Sequence, residues 1–243
     1  MKRVHVAAAV IRGTDGRILI ARRADSQHQG GLWEFPGGKV EEGEAVEVAL
    51  ARELNEELGI VVTAARPLIK IKHDYPDKQV LLDVWEVGSF TGEPHGAEGQ
   101  PLAWVTAREL PHYDFPEANQ PIVAAARLPG EYLITPDGLE VPQMLRGIQK
   151  AIAGGIKLVQ LRAPNMYDPK YRDVAVDAVG LCAGKAQLML KGPLEWLGDF
   201  PAAGWHLTSE QLRKYASKGR PFPKERLAAS CHNAEELSLA EQM

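Results

Sequence analysis

Apolar and polar residues along the chain follow two regimes that meet near residue 129. In the first, Val4 to Ile11 is an apolar run interrupted by His5 and reads as a buried strand. Asp15-Gly16 then signals a hairpin, with Arg17 to Arg23 as the returning strand. Leu68 to Lys72 and Val80 to Val87 read as strands around a Tyr75-Pro76-Asp77 turn, and Leu102 to Val105 as another. Between these, Leu50, Leu54 and Leu58 recur at helical spacing, and Gly59 sits where a left-handed C-cap belongs. A second helix is predicted over Ile122 to Leu128.

Periodicity breaks at Arg127-Leu128-Pro129-Gly130, and strands then alternate with helices. Strands are predicted at Tyr132 to Thr135, Lys157 to Arg162, Gln187 to Lys191, Trp205 to Thr208 and Leu227 to Cys231. Helices fall at Val141 to Ala153, Asp168 to Leu181, Leu194 to Leu197 and Glu210 to Ala216, with a last one from Ala234. Such alternation indicates parallel βα units. The pattern predicts an α/β protein with domains at 1–129 and 130–243.

Composition narrows the partners. The 243 residues are 45% hydrophobic and 25% charged, which suits globular domains with real cores. A net charge of -4 argues against a protein that grips duplex nucleic acid and for a small-molecule partner. Cys182 and Cys231 give neither a disulfide framework nor metal-ligand spacing, so a reducing cytoplasm is expected. Met1-Lys2-Arg3 ahead of the first apolar run superficially mimics a secretion signal, but the run is short and no later stretch reaches membrane-spanning length. No membrane partner is expected.

The first helix carries the chemistry. At about 100° per residue, Glu53, Glu56 and Glu57 fall within an arc of roughly 100° beside the leucine stripe. Like charges at these spacings repel by a few tenths of a kcal/mol per pair, so a helix kept for structure alone gains by losing one. A hard cation such as Mg²⁺ or Mn²⁺ reverses that sign, since carboxylates and substrate phosphates bind it. Just upstream, Gly30-Gly31 and Gly37-Gly38 bracket Leu32-Trp33-Glu34-Phe35-Pro36, and paired glycines let backbone atoms approach a phosphate or metal. Arg23 ends its strand as either a surface charge or a phosphate ligand. Asn119 precedes Gln120-Pro121, where it is either an N-cap or, through its paired donor and acceptor, a reader of a base edge.

Gly38, Glu44, Arg52-Glu53-Leu54, Glu56-Glu57 and Gly59-Ile60 stand at the spacing of the Nudix box, and from Lys2 to Leu128 the chain resembles the MutT-type branch of the Nudix pyrophosphohydrolases. The likeness also runs through Arg22-Arg23, Glu34 to Lys39, Gly96 to Pro101, Asp114 to Pro116 and Ala118-Asn119. It implies an α/β/α sandwich that converts 8-oxo-dGTP, and more weakly dGTP, to the monophosphate and pyrophosphate, clearing the nucleotide pool of a replication hazard. Mg²⁺, or Mn²⁺ in its place, would be held by Glu53, Glu56, Glu57, Glu98 and the Gly37 carbonyl. Glu53 would be the general base, with Glu56 or Glu98 as substitutes, Arg52 would pair with Glu44, and Lys39 would assist the leaving group. Arg23, His28, Phe35, Gly37, Gly38, Lys78 and Asn119 would bind substrate. Lys78 stands where the family is expected to carry an arginine, which keeps the charge but loses a bidentate phosphate contact.

Tyr132 to Thr135, Gly155 to Arg162, Trp205-His206-Leu207 and Ser230-Cys231-His232-Asn233 make the second half resemble thiamine-phosphate synthase and its relative TenI. That likeness implies a (β/α)₈ barrel, of which about five strands are present, so a partial TIM-barrel-like domain is expected whose open strand edges and apolar helix faces predict self-association, residual disorder or an artificially shortened chain. Ala163-Pro164 and Lys191-Gly192 depart from the family's acid-Lys and metal-binding Asn-Asp pairs, which makes thiamine-phosphate formation an unsuitable activity. Two other readings stay open at this point: a nucleotide- or thiamine-precursor-sensing protein without turnover, and a Nudix hydrolase of a thiamine-pathway pyrophosphate.

Overall fold

The strand β1 (Lys2–Arg12) is the centre on which the first half is built. Alternate residues point to opposite faces of a strand, and here both faces are apolar. Ala8 and Val10 enter one core, while Ala7, Ala9 and Ile11 enter another, all at 5% exposure or less. The computed structural model describes residues 2–24, 29–76, 78–166, 168–218 and 227–243. It divides into two units, Met1–Leu128 and Pro129–Met243.

In the first unit β1 is followed by β2 (Ile18–Arg22), β3 (Trp33–Glu34), β4 (Gly37–Lys39), helix α1 (Val46–Leu58), β5 (Val61–Asp74), β6 (Lys78–Thr91), β7 (Leu102–Val105) and helix α2 (Gln120–Ala126). The seven strands form one mixed sheet ordered β3-β2-β1-β6-β5, with β4 paired to β1 and β7 to β2. β1 runs parallel to β6 and antiparallel to β2 and β4. Leu50, Leu54 and Leu58 of α1 pack on one face of this sheet with Ala7, Ala9 and Ile11. Ile122 and Val123 of α2 pack on the other with Ile18, Ile20 and Val84. The result is an α/β/α sandwich. Gly59 ends α1 at φ 67°, and its amide returns to the Asn55 carbonyl.

β5 and β6 extend well past the predicted Leu68–Lys72 and Val80–Val87, pairing from Val61↔Thr91 to Asp74↔Gln79. Register shifts between Val62 and Ala64, Ala64 and Ala65, and Pro67 and Ile69 break the alternation that would reveal a strand this long. Pro67 is tolerated because β5 is the last strand of the sheet. Asp77, part of the predicted turn, lies outside the described residues.

The second unit contains β8 (Leu133–Ile134), α3 (Val141–Ala153), β9 (Leu158–Leu161), α4 (Asp168–Cys182), β10 (Gln187–Leu190), β11 (Gly204–Leu207), α5 (Ser209–Ala216), β12 (Leu227–Ala229) and α6 (Ala234–Glu241). A 3₁₀ segment spans Leu194–Asp199. All described pairings here are parallel, and the five strands lie in chain order, β12-β11-β10-β9-β8. This is the partial TIM-barrel-like arrangement expected. Val159, Leu161, Leu188, Leu190, Trp205 and Leu207 bury one sheet face against Met144 and Ile148 of α3 and Val174, Ala175 and Ala178 of α4. Among the described residues, no helix is long and apolar enough to cross a membrane.

The packing of α1 sets its own test. Leu54 is 0% exposed and Val48, on the same helix, 58%. Leu54→Ala should lower the unfolding free energy of the first unit by about 2–5 kcal/mol, while Val48→Ala should change it by less than about 0.5 kcal/mol. Equal effects in urea titrations would show that the leucine stripe does not anchor the helix.

Candidate active site

Burial of the leucine stripe turns the carboxylates of α1 toward the loop around β4. Gly37 N–H donates to Glu57 Oε2 at 3.1 Å. A Cβ on Gly38 would lie 2.2 Å from the Glu53 carboxyl carbon, so only glycine leaves room for Glu53 there. At Gly37, φ is 141° and a Cβ would lie 2.1 Å from the Ala7 carbonyl oxygen of β1. The two glycines are therefore required by a strand on one side and a carboxylate on the other.

Arg52 binds the acids together. It reaches Glu44 through Nε at 3.1 Å and Nη2 at 3.0 Å, Glu53 at 2.9 Å, Glu56 at 3.3 Å and the Lys39 carbonyl at 3.1 Å. The Arg52 hydrogen bond, followed by the Glu41 amide, holds the Glu44 carboxyl below its ordinary range. Glu56 is exposed, whereas the Glu53 side chain is 16% exposed. Lys39 is exposed and contributes a backbone carbonyl to this network.

The loop after β6 is fastened to the end of α1. Ala97 N–H and the Gln100 side-chain amide both donate to the Glu57 carbonyl, at 2.9 and 3.0 Å, and Glu98 N–H donates to Gln100 Oε1 at 2.9 Å. Glu98 is thereby brought into electrostatic reach of Glu57 and Glu34. Burial, then the neighbouring charges of Glu34, Glu53 and Glu98, push the Glu57 carboxyl up to about 7 against the lowering effect of the Gly37 amide. Glu34 is also raised, by burial first and with Glu98 contributing, although Arg23 opposes it through a 2.6 Å ion pair. Glu34 had no role assigned from sequence. The signal available was an acid directly ahead of Phe35-Pro36-Gly37-Gly38.

This donor set suits a hard dication, because carboxylates crowded until one of them retains its proton near neutrality are relieved by positive charge. As they stand, Arg52 draws Glu53 and Glu56 to itself. Among the described residues, no three acidic, His or Cys side chains converge closely enough to hold an ion.

The substrate-side candidates come from other elements. Phe35, which follows β3, stacks on Phe115 at 5.2 Å, and Ala118 joins the same core. Asn119 is 9% exposed and helical in backbone, and it makes no side-chain cap bond to α2. The N-cap reading is thus not realised. Among the described residues its amide side chain has no hydrogen-bond partner. Lys78 lies over the Tyr75 ring at 5.5 Å, and no described contact joins it to the carboxylates. His28 lies outside the described residues.

Glu57 yields a linkage test. Its folded-state pKa is above the ordinary 4.5, so ionisation opposes folding: the penalty is absent below pH 4.5, grows as pH rises to about 7 and is complete above that. In metal-free buffer, Glu57→Gln should therefore stabilise the first unit by about 3 kcal/mol at pH 8 and change it little near pH 4. A stability difference that does not grow with pH in urea titrations would contradict this placement.

Comparison with known proteins agrees with this geometry. A NUDIX domain model matches residues 7–125, and a Thiamine monophosphate synthase model matches residues 131–243. The 8-oxo-dGTP diphosphatase of Escherichia coli (strain K12) is 42% identical over 124 residues, 51% of this chain and 96% of the relative. The enzyme of the same description from Haemophilus influenzae is 40% identical over 122 residues, 50% of this chain and 90% of the relative. A CTP pyrophosphohydrolase of Escherichia coli (strain K12) is 39% identical over 125 residues, 51% of this chain and 92% of the relative. With the box, its glycines and its carboxylates assembled on one loop and helix, the chain belongs to the Nudix hydrolases, as a pyrophosphohydrolase joined to a thiamine-monophosphate-synthase-like unit.

Proposed function

We propose that the first unit hydrolyses 8-oxo-dGTP, and dGTP more weakly, to the nucleoside monophosphate and pyrophosphate, and that it thereby removes an oxidised precursor from the nucleotide pool. The observation that carries the substrate choice is Asn119: a buried side-chain amide, one residue from Ala118 of the Phe35 and Phe115 core, with no hydrogen-bond partner among the described residues. The amide atoms of this otherwise buried residue are not among the fully buried unpaired ones, so they reach solvent and can pair with a base edge offering one donor and one acceptor. The 42% identity to an 8-oxo-dGTP diphosphatase supports the same choice.

Glu53, Glu56, Glu57, Glu98 and the Gly37 carbonyl are the proposed holders of Mg²⁺ or Mn²⁺, which when bound supplies Lewis-acid neutralisation of phosphate charge. The chain's own groups do the rest. Phe35 offers an apolar wall to the base and Asn119 its amide. Arg23, oriented by Glu34 at 2.6 Å, faces the phosphates. Glu53 takes the proton of the water that attacks phosphorus, and Arg52 fixes the orientation of Glu53 by holding it against Glu44. Gly37 and Gly38, packed against Ala7 and Glu53, offer backbone atoms to the phosphate, Lys39 assists the departing pyrophosphate, and Lys78 and His28 contact the nucleotide. A reducing cytoplasm, in which Cys182 and Cys231 remain free thiols, is the proposed setting.

Three outcomes test this reading. Glu53→Gln should lower kcat by about 10²–10⁴-fold while nucleotide affinity stays within a few-fold, and chelation of divalent ions should abolish turnover. Unchanged kcat would remove Glu53 from the chemistry. Asn119→Ala should cut the ratio of kcat/KM for 8-oxo-dGTP over dGTP by about 10–100-fold, the value of one or two buried hydrogen bonds. If wild-type protein prefers CTP or a pyrimidine pyrophosphate in the same pyrophosphate-release assay, the substrate assignment is wrong although the hydrolase chemistry stands.

A further inference from the structure

The second unit holds a polar relay on the sheet face that α3 and α4 do not cover. Leu161, Leu190, Trp205 and Leu207 point into the helix-packed core, so strand alternation places Gln160 and His206 on the opposite face. Lys191 and Ser230 are the residues that follow β10 and β12, at the carboxyl ends of parallel strands. Lys191 Nζ donates to Ser230 Oγ at 2.9 Å, and Ser230 Oγ lies 3.0 Å from His206 Nε2. His206 Nδ1 lies 3.2 Å from the Tyr132 hydroxyl, which accepts from Gln160 Nε2 at 2.9 Å. Burial and then Lys191 push His206 down to about 4, so it is neutral and able to accept a proton at Nε2.

Lys191 is unusual in its company. Among the described residues no carboxylate pairs with it, and its charge is disfavoured first by burial and then by Arg162, whose own ion pair is with Asp137 at 2.7 Å. A lysine kept to tie two strand ends together gains nothing from a second cation beside it. Desolvation and an adjacent cation are, by contrast, the two conditions that activate a lysine amine toward carbonyl carbon.

We propose that Lys191 is an amine nucleophile that condenses with a small aldehyde or ketone bearing an anionic group to form a Schiff base. The neutral Nζ attacks the carbonyl carbon and gives a carbinolamine. An N–H proton passes to Ser230 Oγ and on to His206 Nε2, and a proton returns by the same route to the carbinolamine hydroxyl, which leaves as water. One amine and one carbonyl thus give one imine and one water, with no oxidant or reductant consumed. Arg162, at the end of β9, supplies the charge for the ligand's carboxylate or phosphate.

The full chain, treated with sodium cyanoborohydride and either pyruvate or dihydroxyacetone phosphate, should acquire a reduced adduct at Lys191 at least about tenfold faster than at exposed Lys150 and Lys185, read by peptide mass spectrometry. A preference for pyruvate identifies a carboxylate ligand, and one for the phosphate compound a phosphate ligand. Ser230→Ala should slow the Lys191 adduct about tenfold and leave Lys185 unchanged, with Ser230→Thr retaining the wild-type rate. Labelling of wild-type Lys191 no faster than of Lys150 and Lys185 with both probes overturns the proposal, whatever the variants do.

Discussion

Everything chemical in the first unit depends on holding like charges together. Glu57 would move away from Glu34 and Glu98 if the helix could rotate or the loop withdraw, and two constraints prevent both. Leu50, Leu54 and Leu58 are at 1% exposure or less, so turning α1 to relieve its acids would expose the stripe at about 1.5–3 kcal/mol per leucine. β4 is hydrogen-bonded to β1 from Val6↔Lys39 to Ala8↔Gly37, so the loop cannot retreat without unpairing a strand. Repulsion of a few tenths of a kcal/mol per exposed pair, and more where Glu57 is buried, is small beside these terms. Arg52 offsets part of it by meeting Glu44, Glu53 and Glu56 at once. The acidic cluster is therefore a consequence of packing that was never asked to favour it.

The same strand connects the two sides of the site. β1 gives Ala7 to the close approach of Gly37 and Ala8 to the core that contains Phe35 and Phe115. A shift of β4 would move the glycine loop and the aromatic stack together, so the proposed phosphate chemistry and the proposed base recognition would share one mechanical reference. Glu34 extends the link, since it sits between Phe35 and Trp33, pairs with Arg23 and feels the charge of Glu98.

Much of this was legible in residue order. The leucine spacing located α1 and Gly59 closed it at the expected residue, because helix periodicity and a left-handed cap are local properties. The βα alternation of the second unit was equally local, and α3 runs over Val141–Ala153 as its pattern indicated. The lengths of β5 and β6 were hidden because their ends are held by polar cross-strand partners such as Thr63 with Ser89 and Arg66 with Glu86, across bulges that erase the period of two. Glu34 and the relay around His206 were hidden for a different reason. Their significance lies in neighbours 11 to 74 residues away, which no window of sequence displays.

An open sheet of parallel strands is normally unstable because both faces are apolar and need cover. In the second unit that requirement is relaxed. Among the described residues its edge strands β8 and β12 are two and three residues long, which leaves few unpaired backbone groups there for another chain to meet. Away from the helices the sheet carries Gln160, His206, Lys191 and Ser230, hydrogen-bonded to one another or to Tyr132, together with buried Met189 in register with Gln160 and Ile134 at 48% exposure. A face of that composition tolerates solvent far better than a layer of leucines would.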